Sequence, residues 1–196
     1  MTQTAANQLM PYLNLQIDEQ ALFRDLGEKE RKQSQLVKRG FVDELNLVIY
    51  LTIDNEMTIA RVNADLLEGW GVDADYAFGI AFENLNKRTR PENISFISDG
   101  SGRELLHAVF YDSGKDGFDA TQILLPSLRS ELCRKLKTDQ CYIGIPNRDF
   151  LIAFVPDPQV QAIFREQIKK DFQRFDHAVS DRLFGADIQG NLWLIK

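Results

Sequence analysis

Apolar and polar positions follow two rhythms along this chain, a strand rhythm in pairs of short runs and a helical rhythm between them. From Leu45 the run LNLVIYLTIDNEMTIARV reads as two strands flanking Asp54-Asn55, residues that tolerate left-handed backbone, so a β-hairpin is predicted. A short helical turn around Leu66 and Leu67 and the break Gly69-Trp70-Gly71 follow. Ala74, Ala77, Phe78, Ala81, Phe82 and Leu85 then recur at helical spacing, with Asp73 placed to cap the helix they form. Burying each large side chain of such a stripe stabilises by roughly 1.5–3 kcal/mol, which outweighs intrinsic propensity.

The scheme repeats. ISFI and LLHAVFY predict a second hairpin around Ser98–Gly102, followed by a helix from about Asp119 to Leu136. CYIGI and DFLIAFV predict a third around Pro146-Asn147-Arg148, and its helix carries Val160, Phe164, Ile168, Phe172 and Phe175. LFGAD and NLWLI predict a last hairpin around Gln189-Gly190-Asn191. The units, starting near residues 46, 94, 141 and 183, share no residue-level identity and so repeat an architecture, not a sequence. Hairpins force antiparallel pairing and amphipathic helices need an apolar sheet face. The expectation is an α+β fold of repeated β-hairpin–helix units, a mainly antiparallel sheet with helices packed largely on one face. Residues 1–40 read differently: a helix starting at Asp18 or Glu19 with Leu22, Phe23 and Leu26, then the polar run EKERKQSQLVKR, a solvated helix or linker. The expected organisation is an N-terminal helical segment over 1–40 and a single α+β domain over 41–196.

Composition narrows the class further. A chain of 196 residues, 44% hydrophobic and 27% charged, can bury a sufficient core without a disulfide or metal. A net charge of −6 argues against wrapping a polyanion, so nucleic acid is not an expected partner, and the Lys87, Arg88 and Arg90 cluster is a weak contrary signal. No apolar run reaches the ~20 residues needed to cross a bilayer. The start MTQTAANQLMPYL has no charged region followed by an apolar one, so a cytoplasmic protein without a signal peptide is expected. Cys133 and Cys141, in neither zinc-like nor CxxC spacing, read as small buried residues of a reducing compartment. Their spacing leaves a disulfide between them open.

Candidate chemistry is sparse. The stretch Asp112–Asp119 resembles a calcium loop at positions one, five and six, but Gly114 at position three and Ile123 at position twelve supply no ligand. It reads instead as a turn into a helix, with Asp119 as N-cap and Gln122 completing a capping box. By alternation His107 faces away from Leu106 and Ala108, which suits a solvated or hydrogen-bonded ring. His177 follows a helix whose dipole favours a cation there. Trp70 between two glycines reads as a core plug at a bend. No phosphate loop or nucleophile elbow is present, so no catalytic residue, metal ligand or cofactor is expected.

Three strings gain weight together: AFENL (81–85), DGFDATQILLP (116–126) and IPNRDFLIAF (145–154). With LVIYLTIDNEMTIARVNADLLEGWGV upstream, they resemble the YtpQ-like bacterial family, a domain of unknown function, over roughly residues 40–196. The chain departs from that family in a shorter N-terminus and in Asn147, where a smaller Ser-like residue is usual. The resemblance implies a fold and a cytoplasmic bacterial setting, and no reaction. Within these strings Asn84 and Asp119 suit structural hydrogen bonds, whereas Asn147, Arg148 and Asp149 stand at a hairpin connection suited to binding. The leading expectation is a non-enzymatic protein-binding or adaptor domain acting through a sheet surface or hairpin tips. The alternative is a small-molecule- or metal-dependent enzyme built from Asp112, Asp116, Asp119, His107 and Arg148. An edge strand such as NLWLI leaves a homodimer open.

Overall fold

A computed structural model describes residues 1–14, 38–41, 45–53, 58–114 and 118–196. The predicted helix at Asp18 or Glu19, the turn at Asp54-Asn55, and Asp116 lie outside the described residues, as does the polar run except for Lys38 and Arg39. The chain divides into two compact units, Met1–Arg88 and Thr89–Lys196.

In the first unit, α1 (Gln3–Gln8) leads into β1 (Leu9–Asn14), followed by β2 (Lys38–Gly40), β3 (Asn46–Ile53) and β4 (Thr58–Arg61). Strand β3 is central: β1 pairs along one edge, with Leu9 opposite Leu51, while β2 and β4 share the other. Helix α2 (Ala64–Trp70) is capped by Asn63, whose side chain accepts the Leu66 N–H at 3.0 Å. Helix α3 (Ala74–Arg88) starts where predicted, with the Asp73 carboxylate accepting the Tyr76 N–H at 2.7 Å. Its buried face holds Ala77, Phe78, Ala81 and Leu85. The expectation of a helical segment over 1–40 ahead of one domain over 41–196 therefore gives way. Strands β1 and β2 belong to the first sheet because β3 has two open edges that sequence-distant strands satisfy.

The second unit holds a six-stranded antiparallel sheet in the order β10-β9-β7-β8-β6-β5. Its strands are β5 (Ile94–Ser98), β6 (Glu104–Tyr111), β7 (Gln140–Gly144), β8 (Leu151–Phe154), β9 (Leu183–Asp187) and β10 (Leu192–Leu194). The three predicted hairpins β5–β6, β7–β8 and β9–β10 are all present, joined by the long-range pairings β6–β8 and β7–β9. The α+β class and the mainly antiparallel sheet stand.

The helices of this unit do not pack largely on one face, as expected, but on both. Helix α4 (Pro126–Leu136) meets one sheet face, where Cys133 touches Cys141 of β7. Helix α5 (Pro158–Arg174) meets the other, where Phe164 stacks on Phe154 of β8 and Phe154 pairs with Tyr142 of β7. Successive strand residues point to opposite faces, so Cys141 and Tyr142 place the two helices on opposite sides. Each face is apolar, so a single layer of helices would have left one exposed.

The helix expected from Asp119 breaks in two. Ala120–Leu124 is a 3-10 turn and the α-helix begins at Pro126. Proline has no N–H for an intrahelical bond and forces its predecessor out of helical geometry; Leu125 has φ −87° and ψ 116°. The capping box fails with it, since the Asp119 side chain caps nothing and the Gln122 side chain bonds Thr89.

Candidate functional site

The most site-like feature is a cleft of about 820 Å³ where the β7–β8 connection meets the C-terminal end of α5. Residues 145–150 do not form a loose tip. The Arg148 N–H donates to the His177 carbonyl (3.1 Å) and the Arg148 carbonyl accepts the Ala120 N–H (3.0 Å). The Val179 N–H bonds the Pro146 carbonyl (2.9 Å) and the Ser180 N–H that of Ile145 (3.1 Å), with a bridge between Asn147 and Ala178. Asn147 is buried, and its side-chain oxygen accepts the Asp149 N–H at 3.0 Å, an Asx turn that fixes the connection. With its backbone held on both sides, Arg148 presents its side chain to the cleft. Its Nε contacts the Asp149 carboxylate at 3.2 Å, and its terminal nitrogens have no protein partner among the described residues.

The other wall comes from α5 and the turn after it. Gln167, Asp171 and Arg174 recur at i, i+4 and i+7 and so share one helix face. Gln167 Nε2 donates to Asp171 Oδ1 at 2.8 Å. The Arg174 guanidinium lies 5.5 Å from the centre of the Phe175 ring, which is 50% exposed. Asp176 and His177 complete the wall; His177 has φ 57°, a left-handed conformation that non-glycine residues rarely adopt. The cleft thus offers cations (Arg148, Arg174), carboxylates (Asp149, Asp171, Asp176) and apolar rings (Phe150, Phe175) within one concavity. Arrangements of this kind bind polar chains through several charge-assisted hydrogen bonds, with an apolar anchor.

Sequence inspection pointed to Asn147, Arg148 and Asp149 but missed the α5 wall. The Gln167-Asp171-Arg174 spacing was a usable signal; His177 stood out only as a cation at a helix end, not as part of a cleft. The remaining candidates lie elsewhere. Asn84 is buried in the first unit, where its Nδ2 donates to the carbonyls of Ala6 and Leu9, both at 2.8 Å, fastening the α1–β1 junction to α3. The buried Asp119 carboxylate accepts from the Ser113 N–H (3.1 Å) and hydroxyl (2.5 Å). Asp112 accepts the Gly114 N–H at 2.7 Å in a second Asx turn. Trp70 is half-buried, and its carbonyl accepts the chain's terminal amine at 2.7 Å.

His107 is half-buried in β6, five residues before Asp112 and so roughly 16 Å from it along an extended strand. Its carbonyl accepts the Val155 N–H at 3.0 Å. Leu106 is 67% exposed: the ladder with β8 stops at Ala108, and a bulge at Phe96/Ile97 shifts the pairing with β5. His107, Asp112 and Asp119 are not among the residues lining the cleft that Arg148 faces, Asp116 lies outside the described residues, and Asp119 directly precedes Ala120, whose N–H bonds the Arg148 carbonyl. No group of three or more His, Cys, Asp or Glu capable of holding a metal ion occurs among the described residues.

Elsewhere in the second unit, Arg129 is buried under the last hairpin. Its Nε donates to the Gly190 carbonyl at 2.7 Å and its Nη1 to that of Ile123. Burial pulls this guanidinium below its ordinary pKa, and the charge of Asp187 opposes the shift. Among the described residues, no helix is long and apolar enough to cross a membrane. The chain matches no family model, no curated protein and no solved structure.

Proposed function

We propose that this protein is a non-enzymatic, cytoplasmic binding domain of the bacterial YtpQ-like type that holds a segment of another polypeptide in the cleft beside the third hairpin. The observation carrying this reading is the cleft itself: an open concavity of about 820 Å³ combining both signs of charge with aromatic rings. A backbone-locked connection supports it, because a recognition surface ordered before binding loses less entropy on association. The exposed Phe175 and Ile163, the latter 66% exposed on α5, supply apolar anchors next to the charged wall. The family assignment rests on the AFENL, DGFDATQILLP and IPNRDFLIAF strings.

Selection of a displayed random-peptide library against the protein tests the reading. Enriched peptides should carry charged residues around an aromatic or aliphatic anchor. Phe175→Ala and Arg148→Ala should each weaken them at least ~10-fold, about 1.4 kcal/mol. Failure to enrich any peptide, or binding indifferent to both substitutions, would refute it. Strands β10 and β5 form the two sheet edges. Native mass spectrometry of the same samples separates a polypeptide partner from a second copy paired along one of them.

A further inference from the structure

Cys141 lies eight positions after Cys133, and the fold brings their sulfurs to 3.4 Å. The cause is the end of α4. Lys137 adopts a left-handed conformation (φ 56°), its N–H bonds the Arg134 carbonyl, and the Thr138 N–H bonds the Cys133 carbonyl. That cap reverses the chain within three residues, so the last helical turn lies over the start of β7. Both side chains are buried and both stand as thiols. A disulfide requires about 2.05 Å between sulfurs, so closure asks the pair to approach by about 1.4 Å, within reach of small side-chain rotations.

The two thiols are not equivalent. Cys133 is among the residues around a second cleft, of about 510 Å³, with Arg134, Lys137, Thr138, Asp139 and Ile188, although it is 0% exposed, as is Cys141. The hydrogen bond between the sulfurs lowers the pKa of Cys133, and the same contact, with burial, raises that of Cys141. That contact favours the thiolate at Cys133 over Cys141 once an oxidant reaches the pair.

We propose that Cys133 and Cys141 form a redox-active dithiol that closes reversibly to an intramolecular disulfide, with a low-molecular-weight disulfide of the glutathione class as oxidant. The Cys133 thiolate attacks one sulfur of the oxidant; a mixed disulfide forms at Cys133 and one thiolate leaves. Cys141 then gives up its proton and attacks the Cys133 sulfur, and the second thiol departs. Two protein thiols and one small disulfide become one protein disulfide and two small thiols. Both residues are 0% exposed, so the oxidant reaches Cys133 through local opening of the turn between α4 and β7.

The experiment is a titration of the intact native chain in glutathione buffers of increasing oxidised fraction, without air, followed by acid quenching, alkylation in denaturant and intact mass. Fully oxidised samples should take up at least 10-fold less alkylating agent than reduced ones, as monomers, with both sites recovered after dithiothreitol. Cys141→Ser should accumulate one glutathione adduct at Cys133, while Cys133→Ser should give none at Cys141. The proposal is overturned if both thiols stay alkylatable at every ratio while the urea-unfolded chain oxidises readily, or if only mixed or intermolecular disulfides form. Should a serine variant fail to fold, the wild-type titration decides alone.

Discussion

The two faces of the six-stranded sheet are covered by one amphipathic helix each, yet they are finished very differently. Under α4 the packing is closed: Leu128, Leu132, Cys133 and Leu136 of the helix are all buried, as are Tyr111, Ile143 and Phe184 of the sheet. Across the sheet, Ile168 is the only one of the residues of α5 to be buried, while Val160 and Phe164 are partly covered and Ile163 is exposed. Both stripes step by four residues, and a four-residue step overshoots one helical turn, so such a row drifts around the helix by roughly 40° per step. Helix α4 compensates with a second row, Arg129 and Cys133, which keeps its face on the sheet. Helix α5 lacks one, and its row winds off the sheet until its C-terminal end forms the cleft wall. One face is sealed; the other leaves much of its helix uncovered.

Cutting into the closed face should give the largest effect. Leu132→Ala is expected to cost about 2–5 kcal/mol in urea unfolding, against roughly half that for Phe164→Ala on the open face. Equal losses would break the comparison. Next comes Arg129→Met, which keeps volume but strips the donors from two carbonyls. A cost of about 1–3 kcal/mol, read as a fall of several degrees in melting temperature, is expected.

The open face has its own tight points. A Cβ on Gly185 would come within 2.2 Å of the Trp193 indole, and one on Gly144 within 2.2 Å of Ile168 Cδ1. Gly185→Ala in a Trp70→Phe background should therefore cost about 1–3 kcal/mol and red-shift the remaining indole's emission. An unshifted spectrum would mean that the face repacks more freely than its geometry implies.

Smaller effects come from surface carboxylates. Hydrogen bonds from Asn191 hold the Asp187 carboxyl below its ordinary pKa, and those from Ser101 and Arg103 do the same for Asp99. An unfolded carboxyl takes up its proton first as pH falls, so this stability is present above about pH 4 and is lost below it. Urea midpoints measured between pH 5 and 3 should fall less for Asp187→Asn than for the wild type. Least of all, Arg148→Ala should leave stability within about 0.5 kcal/mol, since its backbone bonds persist. A larger loss would give Arg148 a structural part in place of the proposed binding one.

Local rules read well wherever a local cause dominated. Asp73 capped α3 as its position implied, and Asn63 and Gly71 bracketed α2. They misled where two local signals competed: the Asp119–Gln122 pattern suggested a cap, but Pro126 set the start of the helix because its ring excludes the alternative. The candidate site was half legible. Asn147, Arg148 and Asp149 stand out as turn chemistry, but the aromatic and acidic wall of α5 looks like an ordinary solvated helix face until it is brought opposite them.

The sequence by itself determined the hairpins, the helices between them and the antiparallel class, because turn residues and periodicity act over a few neighbours. Tertiary structure alone decided that β1 and β2 join β3, that α4 and α5 take opposite faces, and that Arg148 shares a cleft with Arg174. Those outcomes depend on pairing between segments far apart in the chain, β1–β3 in the first unit and β6–β8 and β7–β9 in the second, where many partners are locally acceptable and only the packed whole selects one. The meeting of Cys133 with Cys141 stands between the two cases. Eight residues of chain made it conceivable, and the left-handed turn at Lys137 aimed one sulfur at the other.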